Sequence, residues 1–375
     1  CSSIFVDVEH QIRKKDSENK WGEPSKASVN KIMIGRVPVM VGSDICVTAE
    51  RGAESRSDLG ECKVDQLGYF IINGNERTLV GHERMADNKP LVFFNKNGKF
   101  SSQCDVKSVN DCRYNIPKTT SIKLYVKDTT GIGLGRTIKV TIQGLKNDVP
   151  LYILMKALGV NTDKEFIKMC VYDLNDHDMI EMLKPSIEEG INSLSQNDAI
   201  KEIIKNININ TFNYMSLTEE EKKNNKIKNL YDNFTYYLLP HLNQETSETT
   251  QTNFIRKAYY IGYMVNRMLS CELKRRNYDD RDHLANKKIE SAGNLTAYLF
   301  CLNWRQKTLK SFVKDIKKDL PSLQGEVENI KIEKYLKPTI VDTGMKRSFA
   351  MGDWGLKQSQ NNKKGVSQLL TRINT

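Results

Sequence analysis

Several short stretches of this chain bring together side chains able to do chemistry. Asp279, Asp280, Asp282 and His283 stand within the run Tyr-Asp-Asp-Arg-Asp-His, and Asp176, His177 and Asp178 form a second acidic group. Closely spaced oxygen donors of this kind can bind a divalent cation. Gly131, Gly133 and Gly135 alternate like the glycines of a phosphate loop, and His82, Glu83 and Arg84 offer an acid–base set. Each stretch also has a plainer reading. Lys274, Arg275, Arg276, Arg281, Lys287 and Lys288 surround the first cluster. Asp279, Asp280, Arg281, Asp282 and His283 therefore read as an ion-paired structural junction rather than a magnesium site. Asp176 precedes a helical pattern and reads as its cap. A phosphate loop must open a helix, whereas Arg136 to Ile142 alternates as a strand. Nothing marks a nucleophile or a partner base for His82.

The C-terminal stretch is of another kind. Trp354, Lys357, Gln358, Gln360, Asn361, Asn362, Lys363, Lys364, Ser367, Gln368 and Arg372 mix cations with amides and an indole. Cations neutralise phosphates, while amides reach sugar or base edges. By composition alone, a solvated end is the better reading.

The elements that must position these residues fall into two kinds. Residues 30 to 145 are mainly sheet: Lys31 to Met40, Gly68 to Val80, Leu91 to Phe94, Ile122 to Val126 and Arg136 to Ile142 are rich in branched side chains. Asn73-Gly74 inside the second run is a hairpin signal. After Pro150 the period becomes helical. Thr162 and Asp163 can cap one helix, and Asn175 or Asp176 another that carries Met179, Met182 and Leu183 before Pro185; from there to Leu239 the chain reads as helical but very polar. Lys222 to Lys228 reads as an exposed excursion and Gln244 to Thr252 as a loop. Phe254 to Leu273 is the clearest helix, with Phe254, Ala258, Ile261, Gly262, Val265 and Leu269 on one stripe. Gly262 reads there as a point of close approach. A second long helix is expected between Leu295 and Leu320.

Composition bounds the rest. At 375 residues the chain is too long for one ordinary core, so two or three domains are expected. Lys+Arg 57 against Asp+Glu 46 gives +11, which favours a polyanionic partner met by a local basic face. The eight cysteines contain no C-x-x-C pair, which argues against a zinc ribbon or a thioredoxin-type couple. No apolar run approaches the roughly 18 residues of a membrane span, so no membrane partner is expected.

Six segments then combine into one signature. IGRVPVM (34–40), GYFIINGNERTLVGHERMADN (68–88), CVYDLNDHDMIEMLKP (170–185), KAYYIGYMVNRML (257–269), YDDRDHLANKKIESAG (278–293) and MGDWGLKQSQNNKKGVSQLLTRIN (351–374) follow in this order. Together they resemble the second-largest subunit of multisubunit DNA-directed RNA polymerases, of the RNA polymerase II or large-DNA-virus type. The resemblance implies an α+β fold: a mixed-sheet protrusion domain (1–102 and 289–344), interrupted by a largely helical lobe (103–288), then the start of a fork from 345. It implies that the chain is a fragment without catalytic residues, in a nucleotidyltransferase whose Mg2+ is held mainly by the largest subunit. Zn2+ is expected only in the missing C-terminal part. Implied partners are the largest and smaller polymerase subunits, template DNA, the RNA–DNA hybrid, and initiation factors on lobe and protrusion. Implied locations are the nucleus, or the cytoplasm or virion of a viral system.

By the same likeness, Trp354 to Lys364 matches a fork loop, with Lys357 and either Lys363 or Lys364 facing the hybrid. Gly365 to Leu369 matches a segment that lines the rifamycin pocket in bacterial relatives. Gln368 is thereby expected near the nascent RNA, with Arg372 among the nucleic-acid-binding residues. Competing readings are a separate chain of a split subunit and a stand-alone nucleic-acid-binding or scaffold protein.

Overall fold

The computed structural model describes residues 1–13, 22–23, 25–48, 57–58, 60–96, 98–110, 117–126, 135–191, 195–205, 219–243, 250–319, 331–355 and 363–372. The strands are β1 (Ser2–Ile12), β2 (Ser25–Val37), β3 (Phe70–Ile72), β4 (Asn75–Leu79), β5 (His82–Met85), β6 (Leu91–Phe94), β7 (Phe100–Ser108), β8 (Lys118–Tyr125), β9 (Ile138–Ile142), β10 (Val149–Pro150), β11 (Lys287–Glu290) and β12 (Ser367–Leu369). The α-helices are α1 (Leu151–Ala157), α2 (Asp163–Val171), α3 (His177–Glu189), α4 (Gln196–Lys205), α5 (Glu219–Tyr236), α6 (Thr250–Glu272), α7 (Ala292–Leu302), α8 (Leu309–Asp319) and α9 (Pro338–Met351). They form two compact units, Cys1–Glu83 with Ile289–Thr375, and Arg84–Lys288. No helix among the described residues is long and apolar enough to cross a membrane.

The second unit is built on an antiparallel sheet in the order β10-β9-β8-β7-β6. Strand β7 alternates, burying Ser102, Cys104, Val106 and Ser108 on one face. Cys104 opposes Ile122, and Ile122 opposes Val140, which carries the apolar row across the sheet. β8 and β9 pair antiparallel, so the element that follows Gly135 is a strand; Gly131 and Gly133 themselves lie outside the described residues. Leu91–Phe94, read from sequence with the first segment, pairs with β7 in this sheet.

Helices cover that sheet. The Thr162 hydroxyl accepts the Glu165 N–H at 3.2 Å, and the Asp176 carboxylate accepts that of Met179 at 3.3 Å, so both caps act where their residue types indicated. Helix α3 carries Pro185 inside it and runs on to Glu189. Proline removes one helical bond; packing compensates, since buried Ser186 accepts the Ile138 N–H of β9 at 3.0 Å. The polar stretch 222–228 is likewise helical, within α5. Leu230 and Phe234, both fully buried one turn apart, anchor that helix. Thr250 to Thr252 open α6 instead of closing a loop. At Gly262 of α6 an added Cβ would lie 2.4 Å from the Met169 carbonyl oxygen of α2. The glycine is the point of contact between the two helices.

In the first unit, β1 and β2 form a long antiparallel hairpin, and β12-β4-β3 form a three-stranded sheet. Asn73 and Gly74 both have positive φ (52° and 80°), as a two-residue hairpin turn requires. Among the described residues of this unit, β1–β2, β3–β4 and β4–β12 pair antiparallel. The long helix expected after Leu295 is α7 and α8 joined by a π-helical turn, Asn303–Thr308. Phe70, Ile72, Leu295, Leu299, Val341, Met345, Phe349, Trp354 and Val366 make the core beneath.

Candidate nucleic-acid interface

The basic C-terminal stretch begins where α9 ends. Gly352 closes the helix with φ 77°, and its N–H bonds the Ser348 carbonyl at 2.8 Å. A Cβ there would fall 2.7 Å from the Ser367 carbonyl oxygen, so glycine serves both the left-handed turn and the close return of the chain. Trp354 is fully buried, donates its indole N–H to the Leu295 carbonyl at 2.7 Å and packs against Phe349. Its backbone exchanges hydrogen bonds of 2.7 and 3.0 Å with that of Lys363. These bonds clamp the base of the segment between, on which Lys357 lies outside the described residues. Beyond the clamp, Val366 and Ser367 are buried, and the Ser367 hydroxyl donates to the Phe349 carbonyl at 2.6 Å. β12 then pairs with β4, setting Gln368 opposite Thr78.

This scaffold separates the adjacent lysines. The Lys363 ammonium pairs with Glu290 and lies 5.4 Å from the Tyr298 ring centroid, leaving its side chain 15% exposed. Lys364 is exposed. Gln368 is also exposed, its amide donating to the Gly365 carbonyl at 3.3 Å. Arg372 is held three ways: Nε to Glu76 at 2.8 Å, a terminal nitrogen to Asp65 at 3.2 Å, and its guanidinium 5.1 Å from the Tyr69 ring centroid. Hydrogen bonds to Glu76 and then Asp65 raise the Arg372 pKa. Asp65 accepts the Tyr69 hydroxyl at 2.8 Å. Burial, followed by that bond to Asp65, pushes Tyr69 up to about 12. Burial opposes ionisation of Asp65, but Tyr69 and Arg372 together hold its pKa below the ordinary value. Lys363 and Arg372 thus brace the segment, while Lys364 and Gln368 face outward. One ammonium and one amide can meet a phosphate and a sugar or base edge.

The junction residues lie in the second unit. Asp279 has a side chain 13% exposed, accepts the Val92 N–H and Arg276 at 2.9 Å each, and forms an ion pair with Arg267 at 3.5 Å. Asp280 accepts the Asp282 N–H at 2.9 Å, and its carbonyl accepts the Asn286 amide at 2.7 Å. The Arg281 guanidinium stacks 4.1 Å from the Phe93 ring centroid. Asp282 approaches Lys287 at 3.8 Å, and His283 Nδ1 accepts the Ala285 N–H at 3.1 Å. Asp176 and Asp178 share Arg275. Among the described residues, no group of three or more His, Cys, Asp or Glu side chains is arranged to hold a metal ion.

Residues 122–290 match the family described as RNA polymerase Rpb2, domain 2. The chain is 34% identical over 377 residues to the DNA-directed RNA polymerase II subunit RPB2 of Encephalitozoon cuniculi, covering 100% of this chain and 30% of that protein. It is 31% identical over 372 residues to DNA-directed RNA polymerase II subunit 2 of Arabidopsis thaliana, covering 99% and 30%. Against the DNA-directed RNA polymerase subunit Rpo2 of Saccharolobus solfataricus it is 29% identical over 350 residues, covering 93% and 28%. The chain belongs to the family of second-largest RNA polymerase subunits.

It spans about 30% of the length of the curated relatives it matches. In this second-subunit chain, sequence reasoning found the cations but missed what holds them. Glu290 lies 73 residues before Lys363, and Glu76 and Asp65 lie 296 and 307 before Arg372. No local pattern marks such partners. The only available signal was that Tyr69 and Glu76 fall inside a hairpin whose register could be read from Asn73-Gly74.

Proposed function

We propose that this chain acts within a DNA-directed RNA polymerase as the part of the second subunit that walls one side of the DNA cleft and reaches the RNA–DNA hybrid. Its similarity to second subunits over 93–100% of its length carries the reading. In this reading the second unit is the lobe, which the domain 2 match over residues 122–290 supports. The first unit supplies the protrusion and, from residue 345, the start of the fork. The Mg2+ that serves phosphoryl transfer is held mainly by the largest subunit, and Zn2+ by another part of the second subunit. The chain's partners are those subunits, the smaller ones, template DNA, the hybrid, and initiation factors on lobe and protrusion. Its place is the nucleus, or the cytoplasm or virion if the enzyme is viral.

A hybrid must be held without regard to sequence, which suits phosphate contacts from lysine. Lys364 provides such a charge beside Gln368, with Lys357 on the same clamped segment and Lys363 and Arg372 fixing its frame. In the assembled polymerase, a photo-crosslinker at position 368 is expected to label nascent RNA in a stalled elongation complex. Lys364→Ala should lower the salt slope of hybrid retention by about one, equally on unrelated templates. Labelling of protein alone, or a template-dependent loss in the Lys364 variant, would remove the hybrid contact from this segment.

A further inference from the structure

Helices α2 and α6, drawn together at Gly262, leave a groove of about 610 Å³ beside their contact. Buried Met169 lines its floor, Tyr172 and Tyr259 its walls, and Lys164 and Lys168 its rim. Tyr172 and Tyr259 are 55% and 57% exposed, so more than half of each meets no neighbour in the chain. Tyr263 follows Tyr259 by one turn of α6, on the same side. Its ring is held in place by Arg267, which donates to the hydroxyl at 2.8 Å and stacks 5.5 Å from the ring centroid. Burial, and then the neighbouring Tyr263 hydroxyl, raise the Tyr172 pKa, as two phenols close together would.

The backbone at Tyr172 is strained. It closes α2 with φ 68° and ψ −49°, a conformation open to glycine and costly for a tyrosine. Burial does not repay that cost, because the ring stays largely exposed. Strain of this kind gathers at ligand clamps. The rim is charged as well. Lys164 and Lys168, exposed and one turn apart on α2, form no ion pair among the described residues. Asp163 is engaged by the Tyr152 hydroxyl at 2.5 Å and by Lys156 at 3.4 Å. Glu165 stands in the first turn of α2, where a helix amino end favours an acid. The two lysines outnumber it, and the rim keeps a net positive charge.

We propose that this groove binds an extended, proline-rich segment of a partner protein whose prolines are flanked by acidic residues. Separate aromatic rings at one-turn intervals suit proline rings set between them. The Tyr172 and Tyr259 hydroxyls form no hydrogen bond among the described residues and can donate to peptide carbonyls. A polyproline II segment has no internal hydrogen bonds, so its carbonyls are open to them. A helical ligand has already used its carbonyls, and an added strand needs a sheet edge, which two helices do not supply. The lysines set the sign of the flanks. As a surface for a protein partner the groove deepens the lobe reading, and rests on it only for the source of the peptide. Peptide binding by the chain alone involves neither position 368 nor the assembled enzyme, so either assignment can fail while the other stands.

The experiment screens the 375-residue chain against arrayed peptides of roughly a dozen residues, with a Pro-x-x-Pro core and acidic, neutral or basic flanks, beside amphipathic helical peptides. Fluorescence anisotropy then measures those retained. Acidic-flanked Pro-x-x-Pro peptides should bind, and replacing both prolines by alanine should weaken them at least about tenfold. Y172G relieves the backbone strain, so its denaturant midpoint should hold or rise while peptide affinity falls at least about tenfold. Y259A, at an exposed helical position, should lose affinity likewise. K164Q/K168Q should reduce affinity and its salt dependence, whereas K205Q/K228Q, at exposed lysines outside the groove, should not. Retention of no Pro-x-x-Pro peptide, or preference for basic flanks, would overturn the proposal. So would binding by Y172G and Y259A equal to the parent's. Retention of helical peptides alone would assign the groove to a helix and overturn it too.

Discussion

At position 257 a lysine ammonium sits with no exposed surface, donating to the Phe234 carbonyl at 2.6 Å and the Thr235 carbonyl at 3.3 Å. It serves the carbonyls at the end of α5, which an α-helix leaves without internal donors. The cost is desolvation, which lowers its pKa to about 7. The folded-state value lies below the unfolded one, so between pH 7 and the ordinary lysine range the unfolded chain binds more protons. Stability therefore rises with pH across that window. Cys104 and Cys170 act oppositely at higher pH, because burial raises both thiols. Between about pH 7 and 8.5, the Lys257 contribution should add about 1.5 kcal/mol. Urea midpoints measured across that interval should climb in the parent chain. Lys257→Met should flatten the climb, whatever its effect on absolute stability.

Among the elements, the α2–α6 contact shows how one residue type permits a packing. Gly262 lowers helix propensity by about 1 kcal/mol relative to alanine. An exposed Gly→Ala change would recover that amount. Here the new methyl meets the Met169 carbonyl at 2.4 Å, and a backbone atom cannot rotate aside. Gly262→Ala is expected to destabilise the second unit by about 2 kcal/mol, read as a lower denaturant midpoint with unchanged slope. A rise in midpoint would mean that the helices separate at little cost. Pro185 teaches the converse: a recognised helix breaker sits inside α3, because burial beside β9 outweighs one absent hydrogen bond.

For the whole molecule, the second unit closes its own chain ends. The Ala86 N–H bonds the Asn286 carbonyl at 2.8 Å, Lys89 donates to Asn286 at 2.8 Å, and Lys288 pairs with Asp87. Its core draws on β6 to β10 and on α1 to α6, all within residues 84–288. A domain with its own core and joined ends should fold alone. Residues 84–288 expressed as a separate protein should unfold in one cooperative transition, seen alike by far-ultraviolet dichroism and tyrosine fluorescence. Non-coincident transitions would show that the unit needs the remainder of the chain. The Asp279 to His283 run belongs to this closure, with Asp279 bonded to the edge strand β6.

Interactions confined to a few neighbouring residues were legible in the sequence. Asn73-Gly74 specified its turn, Thr162 and Asp176 specified their caps, and the stripe from Phe254 to Leu269 specified the buried face of α6. Family membership was legible for a related reason: six ordered segments together constrain the chain far more than one motif does. Local patterns misled where distant packing overrode them, as in the polar stretch 222–228. The candidate interface depends most on tertiary structure. Lys363 and Lys364 are adjacent and chemically identical, yet one pairs with Glu290 and the other faces outward. Arg372 likewise spends its charge on Glu76 and Asp65. The sequence determined which side chains carry charge and which turns and caps form. The folded chain decided where those charges act, because an ion pair depends on through-space distance and burial, to which sequence separation gives no guide.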